Sequence, residues 1–288
     1  MNNPLKNFDF SALAAMVDAA ASAPRGPRFE PLPEGTFSAA SLTVWMDAAE
    51  QAAVPAVPAQ CVARLNIEAL LRSEDPGADG VGNVIERLQA VNDALPEDHM
   101  LRWDCCASYA LKDAMGEGQV PSRQERGVGV DIRSFDLLYE FPAEEIPVLQ
   151  RPWVKAQEMD GFPVEFRVYV AEGRVHAVAN YYLQRPLPDT PAIRAAVNQA
   201  VAATEAMVAS LQQRGLAPTM PYQQENPHQA FRATLDFLVD EQGQVLFLEA
   251  GPGWGQGAHP CAFLQPDGRT VDPVEGLKLG SGEPTLSL

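Results

Sequence analysis

The segment Ala233–Gly255, ATLDFLVDEQGQVLFLEAGPGWG, sets two carboxylates among apolar residues. Leu235–Asp240 and Val245–Glu249 read as strands, and EQGQ between them is a hairpin turn. That register places Asp236 directly opposite Glu249. Directly opposed side chains share a face and lie roughly 4.5–5.5 Å apart, where like charges repel. Two readings follow. Either the acids tolerate each other on a solvated face, or a divalent cation that prefers oxygen ligands holds them. On the first reading, removing one acid relieves repulsion and stabilises the chain. The glycine-rich GPGWGQG after Glu249 lets a ligand approach the backbone closely and favours the second.

An arginine is placed by a similar pattern. VEFRVYVAEGRVHAVANYY reads as a hairpin closing at Glu172–Gly173. One face then carries Phe166, Val168 and Val170 opposite Ala179, Ala177 and Val175, which is core. The other carries Glu165, Arg167 and Tyr169 opposite Asn180, Val178 and His176, a polar surface open to solvent or to a ligand. The cysteines Cys61, Cys105, Cys106 and Cys261 form no CxxC pair and no zinc spacing, and His259 with Cys261 is only an isolated H-x-C. Reduced thiols in a cytoplasmic protein are expected. His99, His176, His228 and His259 form no catalytic constellation with a serine or cysteine.

These groups need a scaffold, and 288 residues with 46% hydrophobic content can bury a substantial core. The net charge of −17, from 21 basic and 38 acidic residues, argues against general nucleic-acid binding, which needs a basic surface. No apolar run reaches the roughly 20 residues of a membrane span, and MNNPLKNFDF lacks the charged-then-apolar pattern of a signal peptide. FDFSALAAMVDAAAS, FSAASLTVWMDAAEQAAV and GNVIERLQAVNDAL read as helices, so residues 1–95 form a mainly helical region, a cap or a surface for a protein partner. Strand-like runs begin at HMLRW and IPVLQRPWVKA, where Pro152 marks an edge or a strand end. The strongest helix is DTPAIRAAVNQAVAATEAMVASLQQRG. Asp189 or Thr190 caps it, Pro191 suits its first turn and Gly215 ends it. Its buried stripe is Ile193, Val197, Val201, Thr204, Val208 and Leu211. Hairpin, long helix, hairpin is an α+β order.

RPWV, then EFRVYV, a helix, and LDFLVD with VLFLEAGP resemble, in that order, the ATP-grasp superfamily. More narrowly they resemble the clade of phage and bacterial ATP-grasp proteins related to the eukaryotic cell-division-cycle assembly factor. The resemblance covers roughly residues 99–263. It implies an ATP-grasp domain over 96–288, with subdomains at about 96–155 and 156–265 and a tail beyond, and ATP and magnesium as cofactors. It gives Asp236 and Glu249 the metal role, and Arg167 and Lys112 of ALKDA the phosphate or substrate side. Arg102 is a second cation, and Arg151, Trp153 and Val154 of QRPWV form the adenine hinge. Lys155 beside the hinge is a surface lysine or an alternative phosphate ligand, and Asn180 and Arg185 line the acceptor side or a structural turn.

The chemistry fits these residue types. Magnesium draws phosphate charge toward carboxylates, cations neutralise the remainder, and phosphoryl transfer needs positioning more than a nucleophilic side chain. One departure stands out: where the family has an asparagine two residues after the last metal-binding acid, this chain has Gly251. The phosphate loop has two candidates, MGEGQ at 115–119 and RGVGV at 126–130. The resemblance implies an ADP-forming ligase joining a carboxylate, through an acylphosphate, to an amine. The alternative is a non-catalytic ATP-binding assembly factor or an interaction protein.

Overall fold

The structure, a computed structural model, describes residues 31–253 apart from 74–76, 78–79, 183–186 and 188–189. In chain order the elements are β1 (Thr36–Ser38), α1 (Leu42–Gln51), β2 (Gln60–Asn66), α2 (Ile67–Leu71), α3 (Val81–Asp93), β3 (His99–Trp103), α4 (Tyr109–Gly116), α5 (Ile132–Glu140) and β4 (Glu145–Pro152). They continue with β5 (Glu158–Met159), β6 (Phe162–Pro163), β7 (Glu165–Ala171), β8 (Arg174–Asn180), α6 (Pro191–Gln213), β9 (Ala217–Thr219), α7 (Pro227–Ala230), β10 (Ala233–Val239) and β11 (Val245–Pro252). The architecture is α+β, as the sequence pattern implies.

Two antiparallel sheets carry the fold. One runs β11-β10-β7-β8, the other β2-β4-β3. Helix α6 starts where expected: the Thr190 side chain accepts from the Ile193 N–H, and Pro191 occupies the first turn. It buries Ile193, Val197, Thr204, Val208 and Leu211 against the four-stranded sheet, joined by Ala196, Ala200 and Met207. Val201, expected in this stripe, is only half-buried. The second core gathers under the three-stranded sheet from α2, α3 and α5. No helix among the described residues is long and apolar enough to cross a membrane.

Among the described residues, 31–95 is mainly helical, but the expected boundary at residue 95 does not separate two packed units. The first expected helix, within residues 1–30, lies outside the described residues. Of the rest, β1 pairs in parallel with β9, and β2 pairs with β4, so the boundary at residue 95 runs through the three-stranded sheet. Helix α1 belongs to the same core as the four-stranded sheet. Its Trp45 is fully buried, donates its indole N–H to the Ala39 carbonyl at 2.9 Å and meets Phe37 edge-on.

The two long hairpins each contain a bulge, with opposite consequences. In β10–β11 the pairs nearest the turn, Val239–Val245 and Phe237–Phe247, lie one residue off the expected register. Leu248 is then extra, and beyond it Asp236 does face Glu249. In β7–β8, Glu172 and Gly173 both adopt positive φ, the two-residue turn that suits strand twist. The pairs Ala171–Arg174 and Val170–Val175 keep the expected register, but a bulge at His176 shifts the remainder. Arg167 therefore faces Ala179 and Tyr169 faces Ala177, not Val178 or His176. Neither face of β7 is solvated: Glu165 through Val170 are all buried.

Candidate functional site

A cleft of about 1020 Å³ opens between the two sheets. The chain crosses its back from β4 to β5. Pro152 ends the central strand β4, the Trp153 N–H donates to the Asp98 carbonyl at 2.7 Å, and the Glu241 N–H donates to the Lys155 carbonyl at 3.1 Å. Among the described residues, the N–H and C=O of Val154 enter no hydrogen bond. An apolar cluster of Met100, Ala107 and Leu111, with Met115 and Trp153 packed on it, stands apart from the two main cores beside this linker. A flat base fits such a wall, with the free Val154 backbone groups at its edge.

The cleft-facing side of the four-stranded sheet carries the charge. Arg167 and Asp236 sit side by side on β7 and β10. The guanidinium donates from Nε to Oδ1 and from Nη2 to Oδ2, both at 2.7 Å, a bidentate pair with both side chains buried. The Tyr181 ring lies under the guanidinium at 4.9 Å. Glu249 accepts from Arg102 Nη1 at 2.7 Å, across from β3 of the other sheet. Each acid thus has an arginine of its own. Burial pushes Glu249 upward, but Arg102, Lys112 and Arg167 outweigh it and bring its pKa down to about 2. Burial raises the Asp236 pKa, and Arg167 offsets part of the rise.

Lys112, on α4, lines the cleft and lowers the pKa of both acids electrostatically. It has no ion pair among the described residues, and its ammonium stands 5.0 Å from the centre of the Tyr109 ring. Arg102 is 2% exposed. Its Nε donates to the Trp103 carbonyl at 3.1 Å, and its Nη2 is buried without any partner. Arg151, expected to meet nucleotide from the hinge, is committed elsewhere. Its guanidinium donates to the carbonyls of Val57 and Leu248, each at 2.6 Å, and more weakly to that of Pro58. Burial, then the charge of Arg102, lowers its pKa. It braces the cleft wall. Trp153 and Val154 do line the cleft, as does Lys155, which is exposed.

Of the two glycine segments, 115–119 faces the cleft, and Gly118 takes a positive φ against the Phe162 ring. The 126–130 segment is packed instead: Asn92 bonds both the N–H and the C=O of Val128, and Arg126 is buried. Asn180 donates to the Tyr182 carbonyl and is buried, which is a structural turn. Arg185, His259 and Cys261 lie outside the described residues. Cys105 and Cys106 are free thiols 3.8 Å apart, and Cys61 is free and exposed.

Glu165 is the site residue that the pattern placed on the right face without giving it a role. It is buried, lines the cleft and accepts a hydrogen bond from Tyr182. Burial, then the charges of Asp236 and Glu249, push its pKa well above the ordinary 4.5, and Arg167 only partly offsets this. In the unfolded chain the group ionises near 4.5, while the folded chain holds the proton to higher pH. The native state then binds more protons, so stability falls as pH rises from that point to the folded pKa, by about 1.4 kcal/mol per pH unit. Glu165→Gln removes this loss. Urea denaturation across pH should find the variant more stable than wild type at about pH 8, with the advantage vanishing by about pH 4; a pH-independent difference would contradict it.

Whether the acids fit magnesium turns on their free oxygens. Both Asp236 oxygens face Arg167, whereas only one Glu249 oxygen is hydrogen-bonded to Arg102. Among the described residues no group of three or more His, Cys, Asp or Glu forms a metal cage. Magnesium is commonly held by one or two carboxylates together with substrate phosphates, and an opposed pair with one open carboxylate edge fits that use.

No protein-family model matches the chain, and no curated protein matches it. Solved structures do. D-cycloserine synthetase DcsG is 15% identical with a TM-score of 0.33, over 74% of this chain and 62% of that one. This chain therefore spans less than two thirds of that enzyme's length. Cdc123 from Schizosaccharomyces pombe is 12% identical with a TM-score of 0.41, over 74% and 82%. Macrocyclase MdnC from Microcystis aeruginosa MRC, bound with precursor peptide MdnA, is 16% identical with a TM-score of 0.36, over 92% and 69%. Each of these likenesses is at 16% identity or less and at a TM-score below 0.5.

Proposed function

We propose that the cleft binds ATP and that the chain acts as an ADP-forming ligase of the ATP-grasp type. The observation that carries this reading is the convergence of Lys112 and Arg102 on the Asp236–Glu249 pair, next to an apolar wall with unbonded Val154 backbone groups. Adenine packs against Trp153, Met100 and Met115, and the phosphates extend toward Lys112 and Arg102. Magnesium, held by Glu249 and Asp236 with the phosphates, would supply charge neutralisation at the transferred group. Arg167, held by Asp236 and Tyr181, stabilises charge on the acceptor side. A substrate carboxylate oxygen attacks the γ-phosphorus and ADP leaves; an amine then attacks the acyl carbon, phosphate departs, and the amine gives up its proton. The rate gain comes from positioning and electrostatics, which is what buried arginines provide.

Calorimetry with ATP and magnesium tests the binding. Wild type should bind, and Lys112→Gln should weaken binding by about tenfold or more, about 1.4 kcal/mol. No binding at millimolar ATP would remove the reading.

A second reading, a non-catalytic ATP-binding factor that works on a protein partner, is favoured by Gly251. It pairs with Thr234 on the cleft side of the sheet, and a Cβ there would lie 3.4 Å from the Thr234 hydroxyl. That is ordinary van der Waals contact, so the position has room for a ligand-bearing side chain and this chain places none there. ADP release on incubation with amino acids, amines or peptides supports the ligase; ATP binding without release supports the second reading.

A further inference from the structure

We propose that Arg102 bridges Glu249 to the nucleotide phosphates, so that polyphosphate is captured by Arg102 and Lys112 without a divalent cation. This rests on the nucleotide reading above and concerns what holds the ligand before any transfer. The metal is then required for phosphoryl transfer and not for capture.

The first ground is Arg102 itself. Five N–H donors leave its guanidinium, and the structure accounts for Nε and Nη1 but leaves Nη2 buried with no partner and no solvent. A buried charged donor without a partner is costly and rare enough to call for a missing ligand. Arg102 lines the cleft, so the ligand that enters there is the partner within reach. A planar guanidinium can hold a carboxylate through one nitrogen and a phosphate through another, which an ammonium cannot do with the same geometry.

The second ground is the state of the acids. Bare carboxylates repel phosphate, and a divalent cation ordinarily resolves that conflict. Here Asp236 is matched by Arg167 and Glu249 by Arg102 before any ligand arrives. Lys112 remains, with no ion pair among the described residues, and its field already reaches both acids. The protein therefore supplies at capture the charge that a metal would otherwise bring. Among the described residues the acids form no cage that would gather a metal first.

The test is calorimetry on the full chain with ATP, ADP and inorganic tripolyphosphate, each in EDTA and in excess magnesium. The expected result is ATP binding in EDTA within about tenfold of the affinity in magnesium, with tripolyphosphate also bound in EDTA. Arg102→Lys should lose more than about tenfold in EDTA and less in magnesium. Lys112→Gln, on a half-buried helix position, should weaken binding in EDTA as well and serves if Arg102→Lys fails to fold, as judged by thermal melts. Binding in magnesium but not in EDTA overturns this inference and leaves the nucleotide reading standing. Binding in EDTA that neither variant weakens also overturns it. No binding in either condition removes both.

Discussion

Asp236→Asn should destabilise the empty protein by about 3–5 kcal/mol, the loss seen when one partner of a buried ion pair is removed. The register alone implies the opposite sign, because relieving two opposed acids would stabilise. The structure reverses it through Arg167. With Asp236 neutral, that guanidinium stays 8% exposed and loses its bidentate acceptor. The asparagine oxygen still accepts one hydrogen bond, which places the effect toward the low end. Repulsion from Glu249 is a small term beside this, since Glu249 is neutralised by Arg102. Urea denaturation of wild type, Asp236→Asn and the double variant Asp236→Asn/Arg167→Gln measures it. The double variant should recover part of the loss, because it also removes the buried guanidinium that Asp236 served. A single variant as stable as wild type would mean that the pair contributes nothing and that Asp236 is held for another purpose.

A chain beginning at residue 96 should fail to fold. It lacks β2, which pairs along β4 from Gln60–Gln150 to Asn66–Glu145, and leaves that edge of the central strand open. It also lacks α1, whose Leu42, Trp45, Ala48 and Ala49 are each fully buried in the main core. Exposing that surface favours aggregation over a native monomer. A milder probe of the same point is Trp45→Ala, expected to cost about 3–5 kcal/mol as a large-to-small core substitution. Circular dichroism melts decide both. A soluble, cooperatively melting 96–288 chain would show that the first part of the fold is an accessory after all.

What the sequence made legible was local. Helix α6 and its cap, helix α3 and the Asp236–Glu249 pair follow from periodicity and short-range spacing. The pair was reached through an assumed turn one residue too wide, and the Leu248 bulge restored the expected register. The same kind of irregularity at His176 in β8 went the other way and moved Ala177 and Ala179 to the Arg167 face. Bulges leave little trace in an apolar pattern. Strand β2, QCVARLN, was missed because it is an edge strand: Leu65 alone is buried, so no alternation announces it. Which arginine meets which acid was out of reach for another reason. Asp236 meets Arg167 only because β10 lies between β7 and β11, and Glu249 meets Arg102 only because the two sheets face each other. Sheet order and domain apposition are long-range properties, and two hairpins read separately do not contain them.

The Leu248 bulge gives the β10–β11 hairpin two independent measures of length. Between the turn and the bulge the strands are matched by the Asp240–Gln244 closure; beyond it they are matched at the cleft, where Arg151 grips the Leu248 carbonyl and fixes where the extra residue sits. A residue gained or lost in the turn is absorbed before it reaches Glu249. A residue lost at 248 removes the bulge itself and leaves a regular ladder, in which Phe247 still faces Phe237 and Glu249 still faces Asp236 on the cleft side. Two relatives that differ by the residue at 248 would therefore both keep the acid in the cleft, one with the local bend and extra twist of a bulge and the other with a straight strand.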